Sequence, residues 1–238
     1  MLCQPKISKN EITSNRYNGI NALGYNNITR IEENENISFN KLAGIKVDNE
    51  ANIVIMKNYV FKNIHQGILV YERSSAHMEL NHIHENIKAN VAFGGEGSCN
   101  NVLTNNTIFG GRCEGVFVIE GGYSLIHNND IYENYDGIIC CTATPQIENC
   151  TITRNKRNGI MVLKDGRPTI INCTIKGNLG AGLFIRDKSK GKYMDNTIRM
   201  NHIELIIERK TPELLKVDVT NKIEGDIRTP QTYKCTIM

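Results

Sequence analysis

Three acidic side chains near one turn are the first candidates for chemistry. Asp130, Glu133 and Asp136 lie close together in the sequence, and His127 precedes them. Clustered carboxylates can bind calcium, or act as general acid and base on a sugar when a basic residue lies near the sugar's own carboxylate. The equivalent turn of the next repeat does not carry these acids. A carbohydrate-active enzyme or lectin is therefore kept as an alternative function, with no catalytic residue assigned.

Two histidines are the next candidates, for metal binding or proton transfer. His82 and His84 flank Ile83, so on a strand both point outward. The corresponding positions of the neighbouring repeats carry aromatic residues and threonine, with no acidic residue or cysteine at metal spacing. We expect solvated surface histidines, no metal site and no bound cofactor. The glycines belong to a repeated turn and do not form a phosphate cradle.

The cysteines suggest two different roles. Cys140, Cys150 and Cys173 occupy repeat positions where other repeats use Val or Asn, and we expect them to be buried, reduced thiols. Cys235 is the fourth residue from the end, in the sequence Cys-Thr-Ile-Met, which fits the C-a-a-X signal for prenylation. The tail thus predicts a lipid on Cys235 and reversible attachment to a membrane.

An internal repeat determines which elements position these residues. A central aliphatic residue recurs about every 23 residues, at Ile12, Ile37, Val60, Ile83, Ile108, Ile131, Ile152, Ile175, Ile198 and Ile223. Asn usually follows it by three positions, as at Asn40, and often precedes it by two, as at Asn58, although Glu35 stands there in one repeat. Gly, or Asn at Asn90, usually follows by seven. Gly and Asn tolerate left-handed backbone, so we expect a left-handed turn at this last position.

The spacing of apolar residues predicts a three-sided coil. One apolar residue lies five positions before the anchor, and an alternating pair such as Ile68 and Val70 follows the glycine. We predict an all-β fold: a right-handed, single-stranded parallel β-helix of about ten coils and three parallel sheets. Stacked asparagines would hydrogen-bond from coil to coil. A leucine-rich repeat, the rival fold, would need more leucines and a helical half.

The predicted domain covers residues 1–228, followed by a flexible tail at 229–238. A Thr-Pro pair predicts a short helix near 211–216. The formal net charge of +3 is spread thinly, and no basic run is interleaved with aromatic residues, so nucleic-acid binding is not indicated. The sequence shows neither a membrane span nor a signal peptide, which predicts a cytoplasmic protein. Its membrane association would be peripheral, through the lipid predicted on Cys235.

One outer face of the predicted coil is apolar. Side chains alternate between the two faces of a strand, so in the strand after each glycine turn one residue, and the residue two positions further on, should point toward solvent. Seven successive coils would present an apolar stripe, which on a soluble protein usually marks a contact surface. The alternative is that residues 208–234 fold back over the stripe. The predicted protein-interaction residues are Leu69, Tyr71, Phe117, Ile119, Ile139, Met161, Leu163 and Phe184.

The repeat and the tail together resemble the β-helix of the F-box only proteins, the substrate receptors of cullin-RING ubiquitin ligases. The stretches at 129–134, 144–147 and 158–162 carry the resemblance. It implies a substrate-binding β-helix, apoptosis regulators at membranes as substrates, and a location that includes the mitochondrial outer membrane. No F-box is recognisable in this chain, so recruitment of Skp1 and cullin is implied only for a longer parent protein.

The sequence thus favours a non-catalytic protein-interaction module that binds a protein substrate on the apolar outer face and is tethered to a membrane through Cys235. The alternatives are the carbohydrate-active protein and a structural solenoid that assembles with its own copies.

Overall fold

The computed structural model describes residues 5–24, 28–95, 100–120, 124–208 and 216–229. The described chain forms three parallel sheets of ten strands, in which each strand pairs with the strand three places along the chain. We number the strands in chain order and name the sheets A, B and C.

Sheet A consists of β1 (Lys6–Ser8), β4 (Ile28–Glu32), β7 (Asn52–Met56), β10 (Ser75–Glu79), β13 (Val102–Thr104), β16 (Leu125–His127), β19 (Gln146–Glu148), β22 (Thr169–Ile171), β25 (Lys192–Met194) and β28 (Lys216–Val217). Sheet B consists of β2 (Glu11–Thr13), β5 (Asn36–Ser38), β8 (Tyr59–Phe61), β11 (His82–His84), β14 (Thr107–Phe109), β17 (Asp130–Tyr132), β20 (Thr151–Thr153), β23 (Thr174–Lys176), β26 (Thr197–Arg199) and β29 (Lys222–Glu224). Sheet C consists of β3 (Ile20–Leu23), β6 (Ile45–Asp48), β9 (Ile68–Val70), β12 (Val91–Phe93), β15 (Glu114–Ile119), β18 (Asp136–Cys141), β21 (Ile160–Leu163), β24 (Ala181–Ile185), β27 (Ile203–Ile207) and β30 (Ile227–Arg228).

This arrangement confirms the predicted parallel β-helix and the register of its repeat. Each anchor is the middle residue of a sheet B strand, and consecutive anchors pair directly, as Ile83 does with Val60 and Ile108. In the inner coils the anchors are fully buried, as are the alternating pairs of sheet C, such as Ile68 and Val70. One continuous apolar core therefore runs inside the coil.

Asparagine columns bind the coils together at two corners. At the corner between sheets B and C, Asn63 Nδ2 donates to Asn86 Oδ1 of the next coil at 3.0 Å, and to the carbonyl oxygens of Ile37 and Phe61. Its own Oδ1 accepts hydrogen bonds from the main chain and side chain of Asn40. Each amide in the middle of the column thus satisfies main-chain groups that are buried away from water.

At the corner between sheets A and B, one sequence-based assignment is wrong. Asn34 joins this column, donating to Asn58 Oδ1 at 2.8 Å, whereas Glu35 is exposed. The column member lies three positions before Ile37 in this coil, instead of the usual two. The exposed Glu35 lies between Asn34 and the first residue of β5.

The repeated glycines serve a different purpose from the one predicted. Gly44, Gly67 and Gly159 have no left-handed backbone angle; a Cβ on Gly67 would lie 2.5 Å from the carbonyl oxygen of Asn90. Left-handed residues instead stand at all three corners of the coil, and most are not glycine, as at Leu80 (φ 55°), Glu85 (φ 56°) and Thr142 (φ 55°). At Gly44, Gly67 and Gly159, glycine is required because successive coils approach each other closely at these positions.

The predicted helix near 211–216 falls mostly outside the described residues, which omit 211–215. Lys216 belongs to a strand, β28. Of the predicted tail, residues 230–238 also lie outside the described chain. In the part of the chain that the structure describes, no helix has the length and apolar character needed to cross a membrane.

Candidate functional site

The apolar residues predicted on the outside of sheet C form one aligned column. Phe117 of β15 pairs with Ile139 of β18, which pairs with Met161 of β21, and Met161 pairs with Phe184 of β24. Leu69 lies two coils before Phe117 in the same register. Because parallel strands lie about 4.8 Å apart, these side chains touch their neighbours along the coil axis.

Beside this column runs a second, shorter one. Ile119 pairs with Cys141, and Cys141 pairs with Leu163. Ile139, Cys141 and Met161 form a small apolar cluster, against which Phe117, Ile119, Leu163 and Phe184 pack. We call these seven residues the outer cluster. Tyr71 is not one of its members, but it follows β9 near the outer face, with 40% of its surface exposed.

The prediction that all these side chains face solvent needs correction. Ile139 is 5% exposed and Met161 8%, so the centre of the outer cluster is buried. Phe117, Ile119, Leu163, Phe184 and Leu69 are half-buried. Parity places a side chain outside the coil but does not determine its exposure, since neighbouring rungs cover one another. Of the segment 208–234, predicted as an alternative cover, residues 209–215 and 230–234 lie outside the described chain, and residues 216–229 form the last strand of each sheet.

Charged groups border the outer cluster. Asp136, at the start of β18, is buried. Its carboxylate accepts hydrogen bonds from Arg157 Nε at 3.0 Å and from Arg157 Nη2 at 2.5 Å. This pairing raises the pKa of the Arg157 guanidinium. Asn158 donates to Asp136 and lies 4.0 Å from the sulfur of Met161. On the other side, Arg186 lies over the Phe184 ring at 5.7 Å. The border is therefore polar and structurally fixed.

The candidate acidic site does not assemble. Asp136 is held by Arg157, while Glu133 is exposed and pairs with Arg154 at 3.2 Å. His127 contacts Asn149 at 3.4 Å on another sheet, and Asp130 is exposed at the start of β17. The acids therefore have separate surroundings and separate partners, so the predicted turn does not bring two carboxylates to one sugar bond.

The two histidines are not the solvated side chains that we predicted. His84 lies between the rings of Phe61 and Phe109, with ring centroids at 5.0 and 4.6 Å and nearly parallel planes. Tyr132 extends this column at 5.1 Å, and His82 stacks on Tyr59 at 4.7 Å. Burial lowers the pKa of His84. Alternation of aromatic residues around the anchors was visible in the sequence, but ring stacking was not deduced from it.

Metal-ligand clusters of three or more His, Cys, Asp or Glu residues do not occur in the described residues. Cys140, Cys150 and Cys173 are free and buried, as predicted. Burial raises the pKa of Cys140, whereas the hydrogen bond between Cys150 and Cys173 raises the pKa of Cys173 and lowers that of Cys150. The burial of all three thiols fits a structural role, since reactive cysteines are partly exposed. Cys235, the predicted lipidation site, lies outside the described chain.

Two grooves were not predicted. One, of about 620 Å³, is at the first coils and is lined by Lys9, Asn10, Glu11, Glu33 and Glu35. The other, of about 450 Å³, follows the corner between sheets B and C and is lined by Phe39, Lys62, Ile64, Glu85, Ile87, Gly110 and Arg112. The lining residues come from consecutive coils, so only the stacking of coils reveals them.

Three parallel sheets wound from one chain define the protein as a parallel β-helix. A family model described as a right-handed β-helix region matches residues 3–131 and 97–222, and the chain belongs to this family. No curated protein matches the chain. Among solved structures, the A-module of the mannuronan C-5 epimerase AlgE6 from Azotobacter vinelandii is similar, with a TM-score of 0.59 and 18% identity. The match covers 95% of this chain and 58% of that module. At this identity the likeness shows the fold alone.

Proposed function

We propose that this β-helix is a non-catalytic protein-interaction module that binds its partner over the outer cluster of sheet C. The observation that carries the proposal is the column of Phe117, Ile139, Met161 and Phe184, aligned across four coils outside the core. These four side chains belong to a cluster of their own, separate from the core inside the coil. Aligned apolar residues on an outer face are typical of contact surfaces.

The half-buried residues that surround the centre of the outer cluster, called here the rim, determine what kind of partner fits. Phe117, Phe184 and Leu163 offer ring and aliphatic surface around a filled centre, and Arg186 lies at the margin. An aromatic and aliphatic centre with an arginine at its rim matches the composition of protein interfaces. We therefore propose a protein partner that presents apolar side chains, with polar groups around them.

Charged substitutions at the rim test this function. Phe117→Glu and Leu163→Lys place charges on half-buried positions, so the coil should still fold while partner capture from cells, measured by quantitative mass spectrometry, falls at least about tenfold. Thr151→Glu, on an exposed outer position of sheet B, is the control. Captured proteins that are the same for wild type and rim variants would reject the outer cluster as the interface.

A ubiquitin-ligase role is the finer form of this proposal. The resemblance to F-box only proteins, and particularly to F-box only protein 10, supports a substrate-binding β-helix within a longer receptor. Proteins that require the outer cluster for capture should then accumulate when cullin activation is inhibited in cells that express the parent protein. Unchanged half-lives of those proteins would contradict the receptor role without affecting the interface.

Prenylation of Cys235 is proposed separately, from the last four residues of the sequence. Intact mass of the protein from eukaryotic cells should show one added prenyl group, and Cys235→Ser should move the protein from the membrane fraction to the cytosol. A single lipid gives only marginal attachment, so the membrane fraction should be partial. An unmodified mass would exclude the tether.

A carbohydrate-active function is the second candidate, favoured by one groove and one likeness. The groove at the first coils gathers three carboxylates, Glu11, Glu33 and Glu35, beside Lys9, and the similar solved structure is titled a mannuronan C-5 epimerase module. All four charged side chains are exposed. Incubation with mannuronan, followed by proton NMR of the sugar rings, would reveal C-5 inversion or cleavage. Activity that survives Glu33→Gln and Glu11→Gln would exclude this groove as its site.

A further inference from the structure

We infer that the groove at the corner between sheets B and C, called here the corner groove, is a docking site for a short, extended peptide that combines aliphatic and acidic side chains. It is lined by Phe39, Lys62, Ile64, Glu85, Ile87, Gly110 and Arg112. It lies around the corner from the outer cluster, and the inference is independent of the function proposed for that cluster.

The apolar part of the corner groove is unusually exposed for side chains of its type. Phe39 is 54% exposed and Ile64 47%, and Ile87 is half-buried in the next coil. Ile64 and Ile87 each follow their sheet B anchor by four positions, so they stand one above the other, about 4.8 Å apart. Two aligned isoleucines beside a phenylalanine form an apolar strip that a partner's aliphatic side chains can cover.

The charges of the corner groove select an anionic ligand. Lys62 and Glu85 neutralise each other through an ion pair of 3.3 Å. Arg112 is exposed and has no ion pair with any residue in the described ranges. One uncompensated guanidinium therefore lies at the end of the strip, where its planar fork can hold a carboxylate in two hydrogen bonds.

Gly110 keeps that end of the corner groove open. It occupies the corner position that Phe39, Lys62 and Glu85 occupy in the three preceding coils, with φ of 65°. A Cβ there would lie 3.3 Å from Cγ of Glu85. Because no side chain projects from Gly110, a ligand carboxylate can approach Arg112 from this side.

The length of the corner groove fits a peptide. From Phe39 to Gly110 there are three steps between coils, or about 14 Å, which is the length of four or five extended residues at about 3.3 Å each. Alternate side chains of an extended peptide point the same way and lie about 6.6 Å apart. Residues 1 and 3 of a peptide along the coil axis would therefore cover Phe39 and the two isoleucines, and residue 5 would bring a carboxylate to Arg112, which continues the column of Ile64 and Ile87.

The test measures fluorescence anisotropy of a labelled acetyl-Leu-Ser-Leu-Ser-Glu-amide probe, whose leucines and glutamate lie on one face when extended, with the whole chain. We expect saturable binding that Arg112→Glu and Ile64→Gln each weaken about tenfold. Both positions are exposed at the surface, so folding is checked by unchanged circular dichroism. Lys156→Glu is the matched control, because Lys156 is an exposed cation at the same corner two coils beyond Arg112; it should change affinity less than about twofold.

A second probe checks the sign of the charge. The peptide with Lys in place of Glu should bind the wild type weakly and should bind Arg112→Glu more tightly. Absence of saturable binding, or equal losses for Arg112→Glu and Lys156→Glu, would overturn the inference. Sedimentation with phosphatidylserine-containing vesicles provides the remaining arm. Arg112-dependent binding to vesicles without binding to the acidic peptide would assign the groove to a membrane and would also overturn it.

Discussion

The two asparagine columns and the outer faces of the sheets reverse the usual placement of side chains. At the corners, polar amides such as Asn63 and Asn86 are fully buried, whereas outside the coil Phe117 and Phe184 are apolar and partly exposed. The buried amides are there because tightly stacked corners bury main-chain groups that need hydrogen-bond partners. The outer apolar residues have no such purpose within the coil. Positions that stacking does not explain are therefore the ones to test for function.

Loss of one buried amide should have the largest effect on stability. Asn63→Ala removes hydrogen bonds to Ile37, Phe61 and Asn86 and leaves Asn40 without its acceptor. We expect a loss of about 3–5 kcal/mol in the free energy of unfolding, measured by urea denaturation. Asn15→Ala removes an exposed end of the same column and should cost less than about 1 kcal/mol. Equal losses at the two positions would contradict the importance of burial.

Adding one carbon where coils approach most closely should have the next largest effect. Gly67→Ala places a Cβ 2.5 Å from the Asn90 carbonyl oxygen and 2.6 Å from Asn86 Nδ2. Because main-chain atoms must move, we expect a loss of about 2–3 kcal/mol. Thermal unfolding followed by circular dichroism measures it. A Gly67→Ala variant as stable as the wild type would show that the coils can separate enough at this position to admit a methyl group.

A gap in the corner column allows a compensation experiment. Gly111 stands where Asn is usual, and Asn90, where Gly is usual, fills the gap by linking Asn86 at 2.8 Å to Asn134 at 2.9 Å. Asn90→Gly alone should cost about 2 kcal/mol because both amides lose a partner. Gly111→Asn alone should also destabilise, since a Cβ there lies 2.8 Å from Asn90 Nδ2. The double variant restores the regular repeat.

The double variant should lose no more than half as much free energy of unfolding as either single variant. This corresponds to a coupling energy above about 1 kcal/mol between the two positions. Additive losses would show that Asn90 does not replace a column member. This measurement isolates what the corner column contributes, without disturbing either outer face.

The smallest predicted effect concerns the outer face of sheet B. Burial lowers the pKa of His84 below its ordinary value of 6.5, and Glu85, Lys62 and His82 act on it more weakly. The unfolded chain therefore takes up a proton first as the pH falls, and stability decreases below about pH 6.5 until the folded pKa is reached. His84→Gln should remove this part of the pH dependence, measured by urea denaturation between about pH 7.5 and 5.

His82→Gln is the control, because His82 lies at the adjacent outward position of the same strand. An identical pH profile for wild type and His84→Gln would show that the stacked column of Phe61, His84 and Phe109 does not hold the imidazole away from water. The outer face of sheet B would then behave like an ordinary solvated surface.

Sequence periodicity was sufficient for the coil but not for its details. The anchors, the inward residues of sheet C and most asparagine column members were predicted correctly, because stacking forces one residue type to recur at one spacing. The place of Asn34 in its column and the way Asn90 fills the gap left by Gly111 were missed, since each depends on a local change in coil length or on a neighbour in another coil. The reason for the glycines was also misjudged, because close approach between coils cannot be read from one coil.

The sequence by itself therefore determined the parallel β-helix, its register and the apolar character of the outside of sheet C. Only the tertiary structure decided that Ile139 and Met161 are buried among their neighbours, that His84 is stacked between two rings and that the acids around Asp136 have separate partners. The physical reason is that the repeat fixes the direction of each side chain within its own coil. Exposure, stacking and grooves instead arise between coils, from side chains that are about 23 residues apart in sequence and about 4.8 Å apart in space.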